Sequence, residues 1–539
     1  DDTPKNYISM NKKRLGIFMR ARFGGRRADY LPFLTMETEP VKSSLDAVQS
    51  HSRNEMERFR VVREWMHSVL TMSNTVINES LLNDFSQGYS CLSNEYQREL
   101  LFILAKGYDL NRAQVGNLIK QYLGFQHPDG ETSAVEEESN LSVVYRIERN
   151  LRKALKPTYE VLFERLNNHP GGLKFLSNLR ADILKILEKE NICSLRALDA
   201  CLKEKLSSWL SLASMELHQI TWDCPASLLE KIVVYEAVHP ISNIIDLKRR
   251  LGVGRRCFGY FHPAMSAEPL IFIEAALLKN SAHTIQEVLW DDPPISETEA
   301  SCALFYSISS TQPGLAGINL GKFLIKRVIA LIRMEMPQIS KFGTLSPLPG
   351  FTQWLASKVA SQAALSASEG TAEPSSYAAF HDDLLEPHEE TMLLNSYRFA
   401  SARNGVEVMI DALTSRNFEW TQSEELVCAL KPPLMRLCTR YLLLEKKRGK
   451  ALDAVANFHL QNGAMVERIN WMADKSAKGL RQSAGIMVNY AYSVEKIEEY
   501  AKLYSTSGCI HASQNMLCYA KLLKGHEEQH LAFVEDSEV

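Results

Sequence analysis

The sequence predicts an α+β protein in which an all-α, helical-bundle N-terminal domain precedes a mixed α/β domain. From residue 43 to about 212, apolar residues recur every three or four positions, as at Met56, Phe59 and Val62, and proline is rare. After Trp222 the pattern changes, because runs of β-branched and aromatic residues begin to alternate with helical segments. A chain of 539 residues is long enough to bury the cores of both domains.

Bulk composition is that of an ordinary globular protein. Hydrophobic residues make up 45% of the chain, and 61 Lys and Arg residues nearly balance 64 Asp and Glu residues. The balance argues against a disordered chain, and it lacks the positive excess of a dedicated nucleic-acid binder. For that reason we expect no nucleic-acid partner. No stretch approaches the ~18 consecutive apolar residues of a membrane span, so we also expect no membrane span.

The ten cysteines are scattered and include no CxxC pair, which excludes the usual spacings of zinc and dithiol sites. The simplest expectation for a chain of this size is a set of reduced, buried thiols. Cys224, next to Pro225 in a predicted linker, is the candidate for a disulfide between subunits.

Residues 1–42 are predicted to form a basic leader. The segment Met10–Arg27 contains seven Lys and Arg residues and no acidic residue, which is typical of a mitochondrial transit peptide. We therefore expect a mitochondrial matrix location, and a disordered basic tail is the alternative. Cytoplasmic or peroxisomal pools stay open, although the last residues are not Ser-Lys-Leu.

The change of pattern near 212–222 predicts the domain boundary. We expect a helical domain over 43–215, used for self-association as a dimer or tetramer, and a mixed α/β domain over 216–525. Residues 366–390 are rich in Ser, Ala, Glu and Pro, and they predict a mobile insertion in the second domain. Residues 526–539 are predicted to be a tail.

Within the second domain, β-branched and aromatic runs predict strands and amphipathic segments predict helices. The strands are expected at 257–261, 270–275, 303–309 and 485–492. The helices are expected at 226–238, 321–334 and 433–447. The run Lys248–Arg250, with Arg255 and Arg256, is predicted to be a solvated face.

The sharpest local pattern is a strand, a glycine-punctuated loop and a helix. The strand at 303–309 leads into the loop 310–322, and an amphipathic segment at 323–332 follows. This order directs backbone N–H groups and the positive end of a helix to one point, which suits an anion. The spacing is neither a Walker A motif nor GxGxxG, so a structural turn is the alternative. The cations nearest this point are Lys322, Lys326 and Arg327.

Several long strings in the second half resemble the malonyl-CoA decarboxylase family. They include Glu236–Pro240, Phe305–Ser309, Leu345–Thr352, Val455–Ala464 and Arg468–Asp474, in the family's order. The loop also resembles the coenzyme A pyrophosphate loop of the GNAT acyltransferase fold. The resemblance covers about 222–492 and implies a GNAT-like catalytic domain that converts malonyl-CoA to acetyl-CoA and CO2 in fatty-acid metabolism.

The resemblance implies that Ser346 and His459 are the catalytic residues. From the residues alone, Ser346 lies in a proline-stiffened turn and His459 lies in a loop before Gly463. A turn-capping hydroxyl and a structural imidazole are the alternatives. We expect His459 to position the substrate carboxylate with Ser346 and to protonate the carbanion. The thioester carbonyl is itself an electron sink, so we expect neither a metal nor an organic cofactor.

The resemblance also implies a substrate-binding loop and a substrate-binding tyrosine. They are Ala316, Gly317, Ile318, Asn319, Leu320, Gly321 and Lys322, together with Tyr492. Asn319 departs from the family pattern, which has an acidic residue there. An Asn forms hydrogen bonds but does not act as a carboxylate base. A ring that only packs against a strand is the alternative for Tyr492.

Two other functions use the same features. One is an acyl-CoA-dependent N-acyltransferase of the GNAT class, which requires an amine acceptor. The other is a non-catalytic acyl-CoA-binding scaffold, which binds acyl-CoA tightly and releases no CO2.

Overall fold

A computed structural model describes residues 44–72, 79–124, 134–265, 267–290, 295–368, 384–397, 404–521 and 531–534. The predicted leader, 1–42, lies outside the described residues, as does the centre of the predicted insertion, 369–383. The chain divides into two compact units, residues 1–61 and 62–539. In the first unit, the described residues are helical.

Helices build the part of the chain before the first strand. The first, α1 (Ser44–Thr71), begins in the first unit and ends in the second. The next are α2 (Glu79–Ser90), α3 (Asn94–Gly107), α4 (Arg112–Gly124), α5 (Ala134–Ala154), α6 (Tyr159–Asn167), α7 (Gly172–Leu187) and α8 (Cys193–Trp209). Amphipathic spacing places one face of most of these helices toward the core, although α4 has no buried residue. In α8 the buried face consists of Leu195, Leu198, Leu202 and Leu206.

A ten-stranded mixed sheet follows. Its strands are β1 (Glu216–Ile220), β2 (Arg255–Phe261), β3 (Ile271–Leu278), β4 (Cys302–Ser310), β5 (Lys341–Thr344), β6 (Ser346–Pro347), β9 (Met465–Asn470), β10 (Met487–Ala491), β11 (Ile510–Ser513) and β12 (Leu531–Val534). A separate hairpin consists of β7 (Lys446–Lys447) and β8 (Lys450–Ala451). The strand order in the sheet is β1-β2-β3-β4-β5-β10-β9-β11-β12, with β6 paired to β10.

Helices also lie between the strands and after them. They are α9 (Ala226–Tyr235), α10 (Ile244–Arg250), α11 (Ile285–Trp290), α12 (Leu324–Glu335), α13 (Phe351–Ser368), α14 (Pro387–Ser396), α15 (Gly405–Thr414), α16 (Glu424–Leu443), α17 (Ala454–Gln461), α18 (Ala477–Ser483), α19 (Ile497–Ser507) and α20 (Gln514–Ala520). The predicted fold class, a helical region followed by a mixed α/β region, is confirmed. Over the described ranges, no helix is long and apolar enough to cross a membrane.

Strands β4 and β5 start as a parallel pair and then separate. Strands β1 to β4 pair antiparallel, whereas α12 returns the chain so that β5 runs parallel to β4. This pairing ends at Phe305 and Thr344, although β4 continues to Ser310. Beyond Thr344 the chain no longer pairs with β4; the next strand, β6, pairs with β10, with Ser346 opposite Val488. The sheet therefore opens between β4 and β6, and the loop after β4 begins beside this opening.

All four predicted strands are present as β2, β3, β4 and β10, and two of the predicted helices are present as α9 and α12. The third predicted helix, 433–447, is wrong at both ends. Helix α16 spans Glu424–Leu443, contains Pro432 and Pro433, and has the Ser423 side chain as its N-cap. Proline disfavours a helix interior because it lacks an N–H group. The second half of α16 is largely buried, so tertiary packing outweighs that local preference.

The predicted mobile insertion, 366–390, overlaps helices at both of its ends. Helix α13 extends to Ser368 and α14 begins at Pro387. Glu389 of α14 is buried, and its carboxylate lies 2.6 Å from the guanidinium of Arg436. The last residues of the predicted insertion, 387–390, are therefore part of the folded domain, because they belong to a helix that the Glu389–Arg436 ion pair attaches to α16.

The predicted tail, 526–539, contains a strand of the sheet. β12 pairs in parallel with β11 over Leu531–Val534, so the predicted domain end at 525 is too early. The change from helices to strands falls between Trp209 and Glu216. Residues 62–539 nevertheless form one compact unit, because the later helices of the N-terminal region pack against the region that contains the sheet.

Two arginines of the predicted solvated face are buried instead. Arg250 lies 2.8 Å from a carboxylate oxygen of Asp246 and 3.1 Å from one of Glu274. Arg255 donates to the carbonyl groups of Gly254 and Val288. A basic run in a sequence does not reveal partners such as Glu274 and Val288, which lie on other elements.

Candidate active site

Ser346 lies in a short strand rather than in the predicted turn. β6 consists of Ser346 and Pro347, which pair with Val488 and Met487 of β10. Proline is tolerated there because β6 is a short strand beside the opening of the sheet. The pairing fixes the Ser346 backbone at the opening, and its side chain is buried.

His459 lies in a helix, and its predicted loop location is wrong. It is in the last turn of α17, and Asp453 caps the first turn. An oxygen of the Asp453 carboxylate accepts from the N–H groups of Val455 and Ala456, each over 2.9 Å. The Asn-Gly pair after the helix suggested a loop, but the cap and the buried face of α17 favour a helix up to Gln461.

A chain of hydrogen bonds joins four buried side chains at the opening. His459 Nε2 lies 3.0 Å from Ser346 Oγ, and His459 Nδ1 lies 2.8 Å from Tyr492 Oη. The Ser346 hydroxyl in turn donates to Thr344 Oγ1 over 2.9 Å. None of the four residues exposes more than 5% of its surface. The fold thus brings three predicted site residues, Ser346, His459 and Tyr492, into one hydrogen-bonded group.

Burial determines the charge state of this group. It lowers the pKa of His459 to about 3, and no charged side chain in the described part of the chain contributes to that shift. Burial also raises the pKa of Tyr492 well above its ordinary value. Tyr490 stacks on the imidazole, with ring centroids 4.6 Å apart. At neutral pH the imidazole is therefore uncharged, so one nitrogen donates and the other accepts.

The predicted substrate loop follows β4 beside the opening. Its residues Ala316, Gly317, Ile318 and Asn319 precede a 3-10 turn that consists of Leu320, Gly321 and Lys322. Gly317 has φ +73°, a conformation that glycine adopts without strain. Asn319 is exposed, whereas Leu320 and Gly321 are buried. The side chain of Lys322 lies outside the described residues.

Gly321 connects this loop to the helix that carries His459. A Cβ atom on Gly321 would lie 2.5 Å from the ring of Phe458, so there is no room for a side chain. Phe458 directly precedes His459, and its ring contacts the imidazole edge-on with centroids 5.2 Å apart. Gly321 and the imidazole are therefore separated by a single ring, that of Phe458.

A buried arginine of the helical region holds the start of the loop. Arg180 Nη1 donates to the carbonyl groups of Gly314 and Ala316 over 2.6 and 2.9 Å, and Arg180 Nε lies 2.8 Å from the carboxylate of Asp199. A Cβ atom on Gly314 would lie 1.7 Å from the carbonyl oxygen of Ser177. Helix α7 and the loop are thus packed without space between them.

Two of the predicted anion-site cations are engaged elsewhere. Lys326 Nζ lies 2.6 Å from the carboxylate of Glu498. The guanidinium of Arg327 lies over the ring of Tyr260, 5.6 Å from its centroid, and donates to the carbonyl of Met215. Because Lys326 and Arg327 already have these partners, the backbone N–H groups of the loop are the better candidates for binding an anion.

Comparison with known proteins identifies the family. The model of the malonyl-CoA decarboxylase C-terminal domain matches residues 213–532, and the model of the malonyl-CoA decarboxylase N-terminal domain matches residues 129–210. The chain belongs to the malonyl-CoA decarboxylase family. The family predicted from the sequence is therefore confirmed.

Relatives and solved structures of malonyl-CoA decarboxylases agree with this assignment. The mitochondrial malonyl-CoA decarboxylase of Mus musculus is 39% identical over 444 residues, which cover 80% of this chain and 84% of that protein. The one from Anser anser anser is 38% identical over 426 residues, 78% of this chain and 79% of that protein. The crystal structure of malonyl-CoA decarboxylase from Rhodopseudomonas palustris has a TM-score of 0.70 at 31% identity and covers 85% of this chain and 98% of its own. The one from Agrobacterium vitis also has a TM-score of 0.70, at 29% identity, and covers 86% of this chain and 100% of its own.

Sequence reasoning missed three groups around this malonyl-CoA decarboxylase site. Thr344 accepts a hydrogen bond from the Ser346 hydroxyl, Tyr490 stacks on the imidazole, and Arg180 donates to carbonyl groups of the loop. Thr344 lies two residues before Ser346, and Tyr490, near the end of β10, lies two residues before Tyr492, so alternation along an extended chain was an available signal. Arg180 had no such signal, because the carbonyl groups it contacts are 134 and 136 residues away in sequence.

Proposed function

We propose that this chain converts malonyl-CoA to acetyl-CoA and CO2, with Ser346 and His459 as its catalytic residues. The observation that carries the proposal is the buried hydrogen bond of 3.0 Å between Ser346 Oγ and His459 Nε2, at the opening of the sheet. Membership of the malonyl-CoA decarboxylase family supports the same reaction over acyl transfer to an amine.

The hydrogen-bond directions favour one tautomer of His459. Thr344 Oγ1 accepts from the Ser346 hydroxyl, which directs the serine proton away from the imidazole. Nε2 then carries the histidine proton and donates toward Ser346 Oγ, while Nδ1 accepts from the Tyr492 hydroxyl. All three groups are satisfied in this arrangement. It leaves an N–H group on the side of the imidazole that faces Ser346.

The neutral site favours loss of CO2 through desolvation. When the substrate carboxylate displaces water from the opening, Ser346 and His459 offer it neutral donors and no counter-charge. As the C–C bond breaks, its electron pair passes to Cα and on to the thioester oxygen, so the charge becomes more dispersed than in the carboxylate. A buried site whose described donors, Ser346 and His459, are neutral stabilises the dispersed charge relative to the localised one.

His459 then supplies the proton that completes the reaction. The Nε2–H group protonates Cα of the enolate while the Tyr492 hydroxyl transfers its proton to Nδ1, so the imidazole stays neutral as the other tautomer and the negative charge passes to the Tyr492 oxygen. Solvent returns the proton after product release. One proton is consumed for each CO2 released, which balances the loss of the carboxylate charge.

We also propose that the loop Ala316–Lys322 receives the pyrophosphate of coenzyme A. Its exposed backbone before the 3-10 turn, the glycine at φ +73° and the contact from Gly321 to Phe458 support this. Asn319 carries an exposed amide there, so it serves as a hydrogen-bonding group and not as a base.

The test of the function is product analysis with the full-length protein. Purified enzyme is incubated with malonyl-CoA with and without an amine acceptor, and CO2, acetyl-CoA and free coenzyme A are measured. We expect equal amounts of CO2 and acetyl-CoA that do not depend on the amine. Amine-dependent release of coenzyme A would indicate an acyltransferase, and tight binding without CO2 would indicate a scaffold.

We propose a mitochondrial matrix location as well. The basic segment Met10–Arg27 supports it, as do the mitochondrial names of the relatives from mouse and goose. A fluorescent fusion of the full chain should localise to mitochondria, whereas a fusion that lacks residues 1–27 should not. Fluorescence of the full-length fusion in the cytosol or in peroxisomes would show additional pools.

Finally, we propose that the helical domain, 43–215, mediates self-association as a dimer or tetramer. Helices α4 and α5 expose large apolar side chains, among them Leu123 at 56% and Tyr145 at 60%. Because α4 and α5 contact each other, these apolar side chains are candidates for a surface that binds a second copy of the chain. Light scattering of the wild type and of Tyr145→Asp tests this, since the variant should lower the mass. Cys224, a half-buried free thiol, stays a predicted intersubunit bridge.

A further inference from the structure

A single buried carboxylate, that of Asp453, lies between three segments of the catalytic domain. It accepts from the N–H groups of Val455 and Ala456, both over 2.9 Å, and from the hydroxyl of Tyr441 over 3.0 Å. The backbone of Gly350 lies beside it, since a Cβ atom there would be 4.0 Å from Asp453 Oδ2, and the Gly350 N–H opposes the rise that burial causes in the pKa of Asp453. Asp453 is only 1% exposed, so water does not replace these donors.

Two of these segments carry the reacting side chains. Gly350 ends the short stretch that begins at Ser346, and α17, which Asp453 caps, carries His459. The distance of 3.0 Å between Ser346 Oγ and His459 Nε2 therefore depends on two segments that share the Asp453 carboxylate.

The surroundings leave little freedom at this point. A Cβ atom on Gly350 would lie 2.5 Å from the Tyr441 hydroxyl. The Tyr441 ring in turn packs against Phe351 and Trp354, with centroids 5.7 and 5.3 Å apart. The start of α13 therefore packs against Tyr441 of α16, whose hydroxyl donates to Asp453.

The residue type at 453 is also informative. Helix capping alone is served equally well by Ser, Asn or Asp. An ionised carboxylate, by contrast, offers about four acceptor positions and no donor, which suits its three hydrogen bonds and the neighbouring backbone N–H of Gly350. An Asn would cap α17 but would turn an NH2 group toward donors at Gly350 and Tyr441.

We infer that Asp453 is a positioning residue for the decarboxylation, which sets the separation of Ser346 and His459 by tying both of their segments to one carboxylate. This inference rests on the proposed function. It goes beyond a stabilising cap because it predicts that the loss of the carboxylate lowers turnover in enzyme that is still folded.

Asp453→Asn in the full-length enzyme is the direct test. The substitution preserves side-chain volume and the cap on α17 but places a donor against the N–H of Gly350. We expect kcat for malonyl-CoA to fall roughly 10- to 100-fold, because a misplacement of about 1 Å between reacting groups has an effect of that order. KM should stay within about threefold, since the substrate loop does not contact Asp453.

Asn243→Ala is the matched control for loss of stability. Asn243 caps α10 with the same pair of bonds, from Ile245 N over 2.9 Å and Asp246 N over 3.0 Å, and touches neither catalytic residue. We expect Asn243→Ala to lower the melting temperature and to keep kcat within about twofold. If its kcat falls as far as that of Asp453→Asn, the effect is one of general stability and the inference is wrong.

Tyr441→Phe provides a second, milder variant. It removes one donor from Asp453 and keeps the ring, so we expect a several-fold decrease in kcat and a folded protein even if Asp453→Asn does not fold. Wild-type kcat in folded Tyr441→Phe and Asp453→Asn would overturn the inference. A wild-type enzyme that releases no CO2 would instead overturn the proposed function, so the two failures are distinguishable.

Discussion

Loss of the Tyr492 hydroxyl is expected to separate proton delivery from substrate binding. This hydroxyl lies 2.8 Å from His459 Nδ1, and in the proposed tautomer it donates to that nitrogen. Without that donor, the ring loses the preference for the tautomer that directs Nε2–H toward Ser346. The proposed mechanism therefore depends on a phenol that need not touch the substrate.

Tyr492→Phe is expected to lower kcat at least about 10-fold with little change in KM, because positioned acid–base groups contribute factors of this size or larger. The measurement is steady-state CO2 release across malonyl-CoA concentrations. Tyr89→Phe is the matched control, since it removes a hydroxyl that donates to Asp182 in the helical region. Wild-type kcat in Tyr492→Phe would rule out the tautomer assigned to His459.

Among the elements, the loop after β4 and helix α17 are coupled through Gly321. A Cβ atom at Gly321 would lie 2.5 and 2.9 Å from two atoms of the Phe458 ring, which must then move. Because Phe458 contacts the imidazole, Gly321→Ala should displace His459 and lower kcat/KM at least about 10-fold. Gly116→Ala is the control, since nothing lies within 4 Å of its added Cβ. Equal kcat/KM in the two variants would show that the loop and helix are not coupled.

Arg180 couples helix α7 to the other end of the same loop. Arg180→Lys preserves a positive charge near Asp199, but a Lys point charge does not reproduce the guanidinium, whose Nη1 donates to both carbonyl groups while Nε contacts Asp199. We expect KM for malonyl-CoA to rise at least about 5-fold while kcat stays within about threefold, because the reacting atoms are not displaced. Arg98→Lys, in an exposed pair with Glu190, is the control and should leave both constants unchanged. A decrease in kcat alone in Arg180→Lys would contradict this role.

Local patterns predicted the strands and the family, but they did not predict the contacts between elements. The four strand segments were predictable because β-branched and aromatic runs mark them. Helix α17 was missed although its cap, Asp453, was visible in the sequence, because the following Asn-Gly pair outweighed it. Arg250 was misassigned because one of its partners, Glu274, lies on a strand 24 residues away. The hydrogen bond of Ser346 to His459 spans 113 residues, so only the family resemblance brought the two together in advance.

In the whole molecule, buried neutral histidines link stability to pH. Burial lowers the pKa of both His239 and His459 to about 3 from an ordinary value of 6.5. Between those values the unfolded chain binds protons that the folded chain does not. These two histidines therefore do not reduce the free energy of unfolding above pH 6.5, but they reduce it progressively as the pH falls from 6.5 toward 3.

His459→Gln tests this pH dependence because it removes the titrating imidazole at position 459. Between pH 7 and pH 5.5, the free energy of unfolding of the wild type should fall by about 1 kcal/mol more than that of the variant, since one pKa unit corresponds to about 1.4 kcal/mol. Urea unfolding at the two pH values measures the difference. The same change in both proteins would mean that His459 is not held neutral by burial.

The most direct test of the account is CO2 release from malonyl-CoA by the wild type, Ser346→Ala, His459→Asn and the double variant, each shown to be folded. The account predicts that each single variant lowers kcat at least about 100-fold, and that the double variant is little worse than the poorer single one, because the two groups act as a unit. Wild-type turnover in either folded single variant would contradict it.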